Sequence, residues 1–245
     1  MLLFVLILVV GLLAGPLTYG YLNSSEAQHW SQRRWDSSGQ APDPATYQDA
    51  VVQVYAARTY GWKGAFAVHS WIILKEKNAK AYERYDVAGW GIGQDRPAIR
   101  RDMRVPDGYW AGNKPMIVSH TTGPAAELAI PKIRAAIAAY PYRYSYVTWP
   151  GPNSNTFIAS ILRQVPELRT AMPPNAVGKD FLPYFMPFAM APSGTGVQFS
   201  LAGLLGMTLA KEEGLEINIL GMVFGINPLG PAVKVPGFGT ISFNR

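Results

Sequence analysis

The stretch "GPNSNTF", residues 151 to 157, combines residue types that suit a catalytic segment at the start of a helix. Ser154 precedes the apolar run "FIASIL", so we expect it in the first helical turn. A nucleophile there gains from the positive end of the helix dipole, an effect that is large for a thiolate and small for a serine. Capping of the helix by Asn153, Ser154 or Asn155 explains the same residues without catalysis.

A serine nucleophile needs a neighbouring base, and His69 is the best candidate among the three histidines. His29 falls in a polar stretch, and His120 precedes a predicted helix, where capping is the expected role. His69 lies in "AFAVHSWIILK", residues 65 to 75, and strand alternation places it on the same face as Trp71. A strand histidine packed beside a tryptophan is more often a hydrogen-bonded core residue than a base, which favours a structural role for His69.

Other catalytic and metal-binding patterns are absent from the sequence. It contains no His-Glu-x-x-His, no Gly-x-Ser-x-Gly and no Ser-x-x-Lys motif. The lack of cysteine excludes disulfides, thiolate catalysis and cysteine-ligated zinc, and three scattered histidines argue against a transition-metal site. The glycines of "GWGIG", residues 89 to 93, are not followed by a helix pattern, so they are a weak phosphate loop. We therefore predict no metal and no cofactor.

The elements that must position Ser154 and His69 follow from hydrophobic periodicity. Residues 50–58 and 65–75 predict two strands, and residues 78–90 predict a turn followed by a third strand, which together suggest an antiparallel meander. Residues 121–140 predict a helix, and a second helix is expected from about Ser154 to Val165, where Pro166 ends it. This order predicts an α+β domain.

The C-terminal part is strongly apolar but has the periodicity of strands. Apolar residues occupy the odd positions of 197–209 except for Gly203, and small or polar residues occupy most of the even ones. "KEEG", residues 211 to 214, predicts a turn, and residues 215–226 predict a returning strand. We expect a long β-hairpin with one apolar face. If that face is buried, a charge at Leu205 destabilises the domain and a charge at Ala202 costs much less.

The N-terminus suggests a membrane anchor. Residues 1–22 carry no charged side chain, and as a helix they span roughly 33 Å, enough for a bilayer core. No basic residue precedes this run and no good cleavage site follows it, which favours an uncleaved anchor over a signal peptide. The predicted organisation is an anchor at 1–22, a linker at 23–49, an α+β core at 50–180 and the hairpin extension at 181–245. Arg33 and Arg34 favour a cytoplasmic domain, whereas N-terminal export signals favour the opposite side.

The charge balance adds little about partners. The net charge is +6, and the basic residues are spread thinly except for "RPAIRRDMR", residues 96 to 104. Arg100, Arg101 and Arg104 suit anionic lipid or glycan, although a solvated loop is the simpler interpretation. No nucleic-acid-binding motif is present, so no nucleic-acid partner is expected.

Two short motifs resemble the circularly permuted papain-like proteins, namely the NlpC-type peptidases and the lecithin–retinol acyltransferase-like group. "AVHSWI" is followed by "NSNTF", in the order in which that group places its strand histidine and its helix-opening nucleophile. His69, Trp71, Asn153 and Phe157 match the pattern, and Ser154 stands where the group has cysteine. The resemblance implies a papain-like core over residues 50 to 165. It leaves the residue that orients His69 open among Glu83, Tyr85 and Asp86.

Longer strings resemble an uncharacterised bacterial family that has an N-terminal membrane segment and is catalogued as a domain of unknown function. They include "WKGAFAVHSWI", "YDVAGWG", "WPGPNSNTF" and "GLEINILG". The family members carry the same serine in "GPNSNTF", which implies that Ser154 is usual there. The resemblance implies a bacterial membrane protein and supplies no activity. We expect a single span in the inner membrane and a periplasmic domain.

Three functions follow as hypotheses. The first is a non-catalytic binding or scaffolding protein of the cell envelope, whose relic cleft binds a peptide, glycan or acyl ligand through Trp71, Asn153 and Asn155. The second is a serine-dependent amidase, esterase or acyltransferase that uses Ser154 and His69. The third is an assembly factor that docks its apolar hairpin on a membrane-protein partner, while residues 1–22 contact membrane lipid.

Overall fold

The computed structural model describes residues 2–23, 33–93 and 95–243, which form a mixed α+β structure. Within these ranges there are three α-helices and two antiparallel sheets, as the sequence predicts at the level of class. The helices are α1 (Leu2–Leu22), α2 (Gly123–Ala138) and α3 (Ser154–Gln164).

The first sheet has five strands in the order β4-β3-β2-β1-β5. The strands are β1 (Val51–Arg58), β2 (Val68–Lys75), β3 (Glu83–Val87), β4 (Ile99–Arg101) and β5 (Met116–Thr122). The meander predicted for the first three strands is confirmed. The strand β5, which pairs with β1 on the far edge, was not predicted, because the sequence "MIVSHTT" runs directly into α2.

Both faces of this sheet are covered, which explains why β2 is buried along its whole length. The helices α2 and α3 pack on one face, where Ile72, Ile133 and Phe157 belong to a large apolar core. A smaller aromatic cluster lies on the other face and includes Trp71 and Trp110. Side chains therefore alternate along β2 between the helical core and the aromatic cluster.

The second sheet has seven strands and replaces the single hairpin that the sequence predicts. The turn at residues 211–213 is present, but each predicted hairpin arm is itself broken, once after Leu201 and once after Ile219. The strands are β6 (Phe188–Met190), β7 (Gly196–Leu201), β8 (Leu205–Ala210), β9 (Gly214–Ile219), β10 (Met222–Asn227), β11 (Ala232–Val235) and β12 (Gly239–Ser242).

The orientation of the second sheet contradicts the expectation that its apolar face is buried. Leu205 is 50% exposed, whereas Ala202 is only 2% exposed. The inner face is occupied instead by polar side chains, because Gln198 and Asn218 both donate hydrogen bonds to the buried carboxylate of Asp180. The predicted alternation of side chains along the strands is present. The prediction that the apolar side faces the domain is wrong, because the polar side does.

The N-terminal helix lies against the domain. Leu12 is buried, Gly15 approaches the carbonyl of Pro236, and the ring of Tyr19 meets Phe238 edge-on. Among the described residues, no helix satisfies the length and apolarity needed to cross a membrane.

The predicted linker is described only from residue 33 onward, and residues 24–32, with His29, lie outside the described residues. Residues 33–49 run along the first sheet, where the carboxylate of Asp107 accepts hydrogen bonds from Ser37, Ser38 and the backbone of Gln40.

Candidate functional site

His69 is the centre of a buried charge network on the aromatic face of the first sheet. Its Nε2 lies 2.8 Å from Oδ1 of Asp86, which belongs to the neighbouring strand β3. The guanidinium of Arg84 donates to the same carboxylate, with Nε 2.7 Å from Oδ2 and Nη2 3.1 Å from Oδ1. All three residues are buried, so the carboxylate is shared by a cation and an imidazole without water between them.

The charges of this network are set by burial and by Arg84. Burial lowers the pKa of His69 below its usual 6.5, and this effect outweighs Asp86, which raises it. Burial raises the pKa of Asp86, but Arg84 and His69 lower it more strongly, to about 2. Asp86 is therefore an anion and His69 is neutral at pH 7. The neutral ring donates through Nε2–H to the carboxylate, which leaves Nδ1 as the unprotonated nitrogen.

Aromatic rings enclose the imidazole. Trp110 stacks on it with the ring centroids 3.7 Å apart and the planes 11° from parallel. Trp71 lies beside the imidazole, with the ring centroids 6.0 Å apart, and its own ring is 6.3 Å from that of Trp110. The indole N–H of Trp71 donates to the carbonyl of Pro106, its ring stacks on Tyr55, and its side chain is fully buried. Trp71 is thus part of the packing around His69, and it does not line the adjacent cavity.

The segment "GPNSNTF" forms the start of α3, as the sequence predicts, and Asn153 is the residue that caps it. Oδ1 of Asn153 accepts from the backbone N–H groups of Asn155 and Thr156, and Thr156 Oγ1 accepts from the backbone N–H of Asn153. This reciprocal arrangement is a capping box. The amide of Asn153 also donates to the carbonyls of Thr148 and Val177. Gly178 permits the approach, because a Cβ there would lie 2.3 Å from Asn153 Nδ2.

Asn155 fixes the start of α3 to strand β2. Its Oδ1 accepts from Ser70 Oγ at 2.8 Å, and its Nδ2 donates to the carbonyls of Val68 and Val177. These bonds engage both the oxygen and the nitrogen of the Asn155 side-chain amide within the protein. The side chain is therefore a structural tie between the helix and the strand that carries His69.

Ser154 differs from its neighbours, because its hydroxyl has no hydrogen-bond partner among the described residues. Its backbone N–H is likewise absent from the capping interactions, which involve the amides of residues 155 to 157. No hydrogen bond joins Ser154 to His69 within the described chain. Ser70 points from β2 toward α3, and strand alternation turns the adjacent His69 to the opposite face.

Ser154 and His69 nevertheless line one cavity of about 560 Å³ between the start of α3, the end of the second sheet and helix α1. Most of its wall is apolar, and Trp90, Trp110 and Trp149 contribute indole rings. Lys63, in the 3-10 helix Gly61–Ala65, is the cationic lysine of the wall. The remaining wall includes Leu12 and Leu13 of α1, Tyr60, Trp62, Phe66, Val87, Tyr146, Val177, Leu220 and Met222.

The residue that orients His69 was open among three candidates, and the structure places Asp86 there. Glu83 instead accepts a hydrogen bond from the hydroxyl of Tyr85 and pairs with Arg134, away from His69. Arg84 and Trp110 were missed by sequence reasoning. Alternation in "ERYDV" places Arg84 and Asp86 on one face of the strand, and this pattern is the sequence signal that could have identified Arg84. Trp110 lies in an irregular segment, where no periodic pattern indicates its position. The described residues contain no cluster of His, Cys, Asp and Glu that suits a metal ion.

Comparison with known proteins gives one family match. Residues 49–181 match the model of the family described as "Protein of unknown function (DUF3750)". The match covers more than half of the chain, so the chain belongs to this family. It contains the first sheet, α2, α3 and the His69 and Ser154 sites, and it ends before the second sheet. No curated protein and no solved structure matches the chain.

Proposed function

We propose that the chain is a non-catalytic binding protein that holds an acyl amphiphile in the cavity between α1, α3 and the second sheet. The observation that carries the proposal is a largely apolar cavity of about 560 Å³ with Ser154 in its wall. That volume is in the range of small-molecule sites, which are mostly apolar with a few placed polar groups.

The polar groups of the wall define where the head of the ligand lies. The hydroxyl and the backbone N–H of Ser154 have no partner among the described residues and stand at the positive end of α3. Both are donors to a carbonyl or carboxylate oxygen, and Lys63 adds a positive charge to the same cavity. The aromatic and aliphatic wall accommodates the acyl chain.

We propose a non-catalytic function because of the environment of His69 and Ser154. The ring of His69 stacks on Trp110, its Nε2 is occupied by Asp86, and no hydrogen bond connects it to Ser154. A serine without a neighbouring base remains a weak nucleophile. We propose that the site is a relic of a papain-like cleft in which Ser154 and His69 do not form a catalytic pair.

A fluorescent fatty acid whose emission rises in apolar surroundings tests ligand binding directly. Saturable binding is expected, and Phe66→Glu should abolish it by placing a charge in the wall of the cavity. Leu128→Glu is the matched control, because Leu128 is exposed on α2 and does not line the cavity. Ser154→Ala should weaken binding several-fold by removing one hydrogen bond to the head group. Absence of saturable binding, or equal binding by Phe66→Glu, would contradict the proposal.

A serine-dependent acyl-transfer enzyme is the second candidate, and the His69–Asp86 pair beside the Ser154 cavity favours it. In that reaction Ser154 Oγ would attack a carbonyl carbon, its proton would pass to His69 Nδ1 and then to the leaving group, and water or a second acceptor would take the acyl group. Hydrogen bonds of catalytic groups are often long without ligand. A fluorophosphonate probe, which labels activated serines, tests this enzyme. Labelling that is lost in both Ser154→Ala and His69→Ala but retained in the control Ser160→Ala would establish the enzyme and overturn the first proposal.

We also propose a location in the bacterial cell envelope, with residues 1–22 as an inner-membrane anchor and the domain in the periplasm. The uncharged sequence of residues 1–22 supports it. N-terminal sequencing of the purified protein should return Met1 or Leu2, and a start near Tyr21 would show cleavage. A reporter fused after Arg245 should be active only when it is exported.

A further inference from the structure

The outer face of the seven-stranded sheet is apolar without interruption. Each of the strands β7 to β10 directs three side chains outward, and none of them carries a polar or charged group. Val197, Met207 and Ile217 are examples, with 60%, 50% and 45% of their surface exposed. This is far more exposed apolar surface than the scattered single residues that are normal for a protein in water.

The strand register joins these side chains into rows that cross the sheet. Phe199 lies opposite Phe188 on one side and Met207 on the other. Met207 lies opposite Ile217, which in turn lies opposite Phe224. One row therefore extends across five strands. With seven strands about 4.8 Å apart, and six residues in each of β7 to β10 at about 3.3 Å, the face measures roughly 29 Å across the strands and roughly 20 Å along the central ones.

The inner face of the same sheet is polar and fully engaged. Glu216 pairs with Lys179 and Lys234, and Gln198 donates to Thr208 as well as to Asp180. An antiparallel sheet with one side in water has the opposite pattern, with polar residues outward and apolar residues inward. The sheet is thus constructed for an outer face that is not in water.

We propose that this outer face lies on a lipid bilayer, with its side chains among the upper acyl chains and its strands parallel to the membrane plane. A shallow position is required, because the edge strands β6 and β12 have backbone groups that need water or polar head groups. A protein interface of this size would carry about three to six hydrogen bonds, whereas the outward positions of β7 to β10 offer no side-chain donor or strong acceptor. The uncharged face complements hydrocarbon.

Two neighbouring features add apolar surface beside this face. Met222 of β10 and Leu220 of the preceding turn belong to the wall of the cavity described above, so the cavity and the face meet at this end of the sheet. Helix α1, which lies beside the turn between β11 and β12, exposes Leu6, Val10 and Leu17. The proposal does not depend on a ligand in the cavity.

A site-specific fluorescence experiment separates contact by this face from attachment through α1. The chain has no cysteine, so Met207→Cys provides one attachment point for a polarity-sensitive fluorophore. Leu128→Cys on α2 is the control, since Leu128 is 69% exposed and lies outside the second sheet. The full-length labelled proteins are bound to vesicles of phosphatidylcholine and phosphatidylglycerol, with or without lipids that carry a nitroxide on the acyl chain.

The emission of the label at position 207 is expected to shift to the blue on vesicles and to be quenched by the nitroxide lipids. The label at position 128 should show neither effect. Adding Leu205→Asp and Leu209→Asp to Met207→Cys should remove most of the quenching, while adding Leu128→Asp should not. The proposal would be overturned if the label at position 207 in vesicle-bound protein kept the emission spectrum that it has in water. It would also be overturned if quenching were unchanged in the variant with both aspartates. A blue shift without vesicles, together with a dimer in sedimentation, would overturn it in favour of a second copy of the chain.

Discussion

The imidazole of His69 and the carboxylate of Asp86 form a buried pair, with Nε2 and Oδ1 2.8 Å apart and almost no exposed side-chain surface. Arg84 completes the group and keeps Asp86 ionised, so the pair consists of a neutral donor and an anion rather than two full charges. This geometry fixes the tautomer and the orientation of the ring. It also ties strand β2 to strand β3 at the place where both border the cavity.

The lowered pKa of His69 predicts acid sensitivity of the fold. The unfolded chain binds a proton near pH 6.5 that the folded chain does not bind, so the free energy of unfolding should fall as the pH drops below about 6.5. The slope should reach at most ~1.4 kcal/mol per pH unit, with no contribution from His69 above about pH 7.5. Asp86 adds its own loss only at lower pH, below its usual 3.8 and toward about 2.

Urea unfolding at a series of pH values measures this slope. In His69→Gln the slope near pH 6 should disappear, because glutamine can still donate to Asp86 and does not titrate. His120→Gln is the control and should retain the slope. If His69→Gln and the unsubstituted protein have the same slope, the buried neutral state assigned to His69 is wrong.

Ser154 and Asn153 are adjacent residues with opposite expected effects on stability. Ser154→Ala should change the free energy of unfolding by no more than about 0.5 kcal/mol, because its hydroxyl bonds to no described group. Asn153→Ala should cost about 2–4 kcal/mol, because it removes the helix cap and leaves the carbonyl of Thr148 without its side-chain donor. Urea unfolding of both variants decides this. A large loss in Ser154→Ala would show that the hydroxyl has a structural role.

The elements around His69 and Ser154 were predictable because their local signals agree with the tertiary structure. The Asn153 region combines capping residues with an apolar run, and α3 begins there. The apolar run around His69 is a strand because it is buried on both sides. The pairing of His69 with Asp86 could not be chosen from alternation alone, since Glu83, Tyr85 and Asp86 were all near enough in the sequence.

The second sheet shows the limit of reading a hydrophobic pattern. Alternation identifies two faces, but it does not say which one the rest of the protein covers. The usual assumption places the apolar face inside, and here Asp180 and Glu216 require polar partners on the inner side. Those two carboxylates are far apart in the sequence, so their effect appears only after folding.

The reversed orientation changes the expected effect of charge at two positions. Leu205→Asp places a carboxylate on the exposed face and should alter the free energy of unfolding by less than about 1 kcal/mol. Ala202→Asp should cost several kcal/mol, because Ala202 is almost fully buried and a charge there has no partner. Its left-handed backbone, with φ of 50°, suits aspartate, so burial of the charge is the cause of the loss. Thermal unfolding in solution compares the stability of the two variants. If Leu205→Asp is the more destabilising of the two, the apolar face of the sheet is the buried one.

Glu216 is the residue on which the inner face of the second sheet depends most. It bonds to Lys179 with Oε2 2.5 Å from Nζ, and its other oxygen pairs with Lys234. Burial raises the pKa of Glu216, and the two lysines lower it further than burial raises it, so the carboxylate is ionised. Glu216→Gln should cost about 3–5 kcal/mol, because it leaves buried ammonium groups without their shared anion.

Glu212→Gln is the matched control, because Glu212 is part-exposed and its contact with Arg169 is 3.5 Å long. It should change stability by less than about 1 kcal/mol. Lys179 keeps its ion pair with Asp180, so Lys234 is the cation that Glu216→Gln leaves without a carboxylate. Combining Glu216→Gln with Lys234→Met removes this cation and should recover part of the loss, which a double-mutant cycle in urea measures. If the double variant is no more stable than Glu216→Gln alone, the loss does not come from the uncompensated charge of Lys234. In that case the hydrogen bond to Lys179 accounts for the contribution of Glu216.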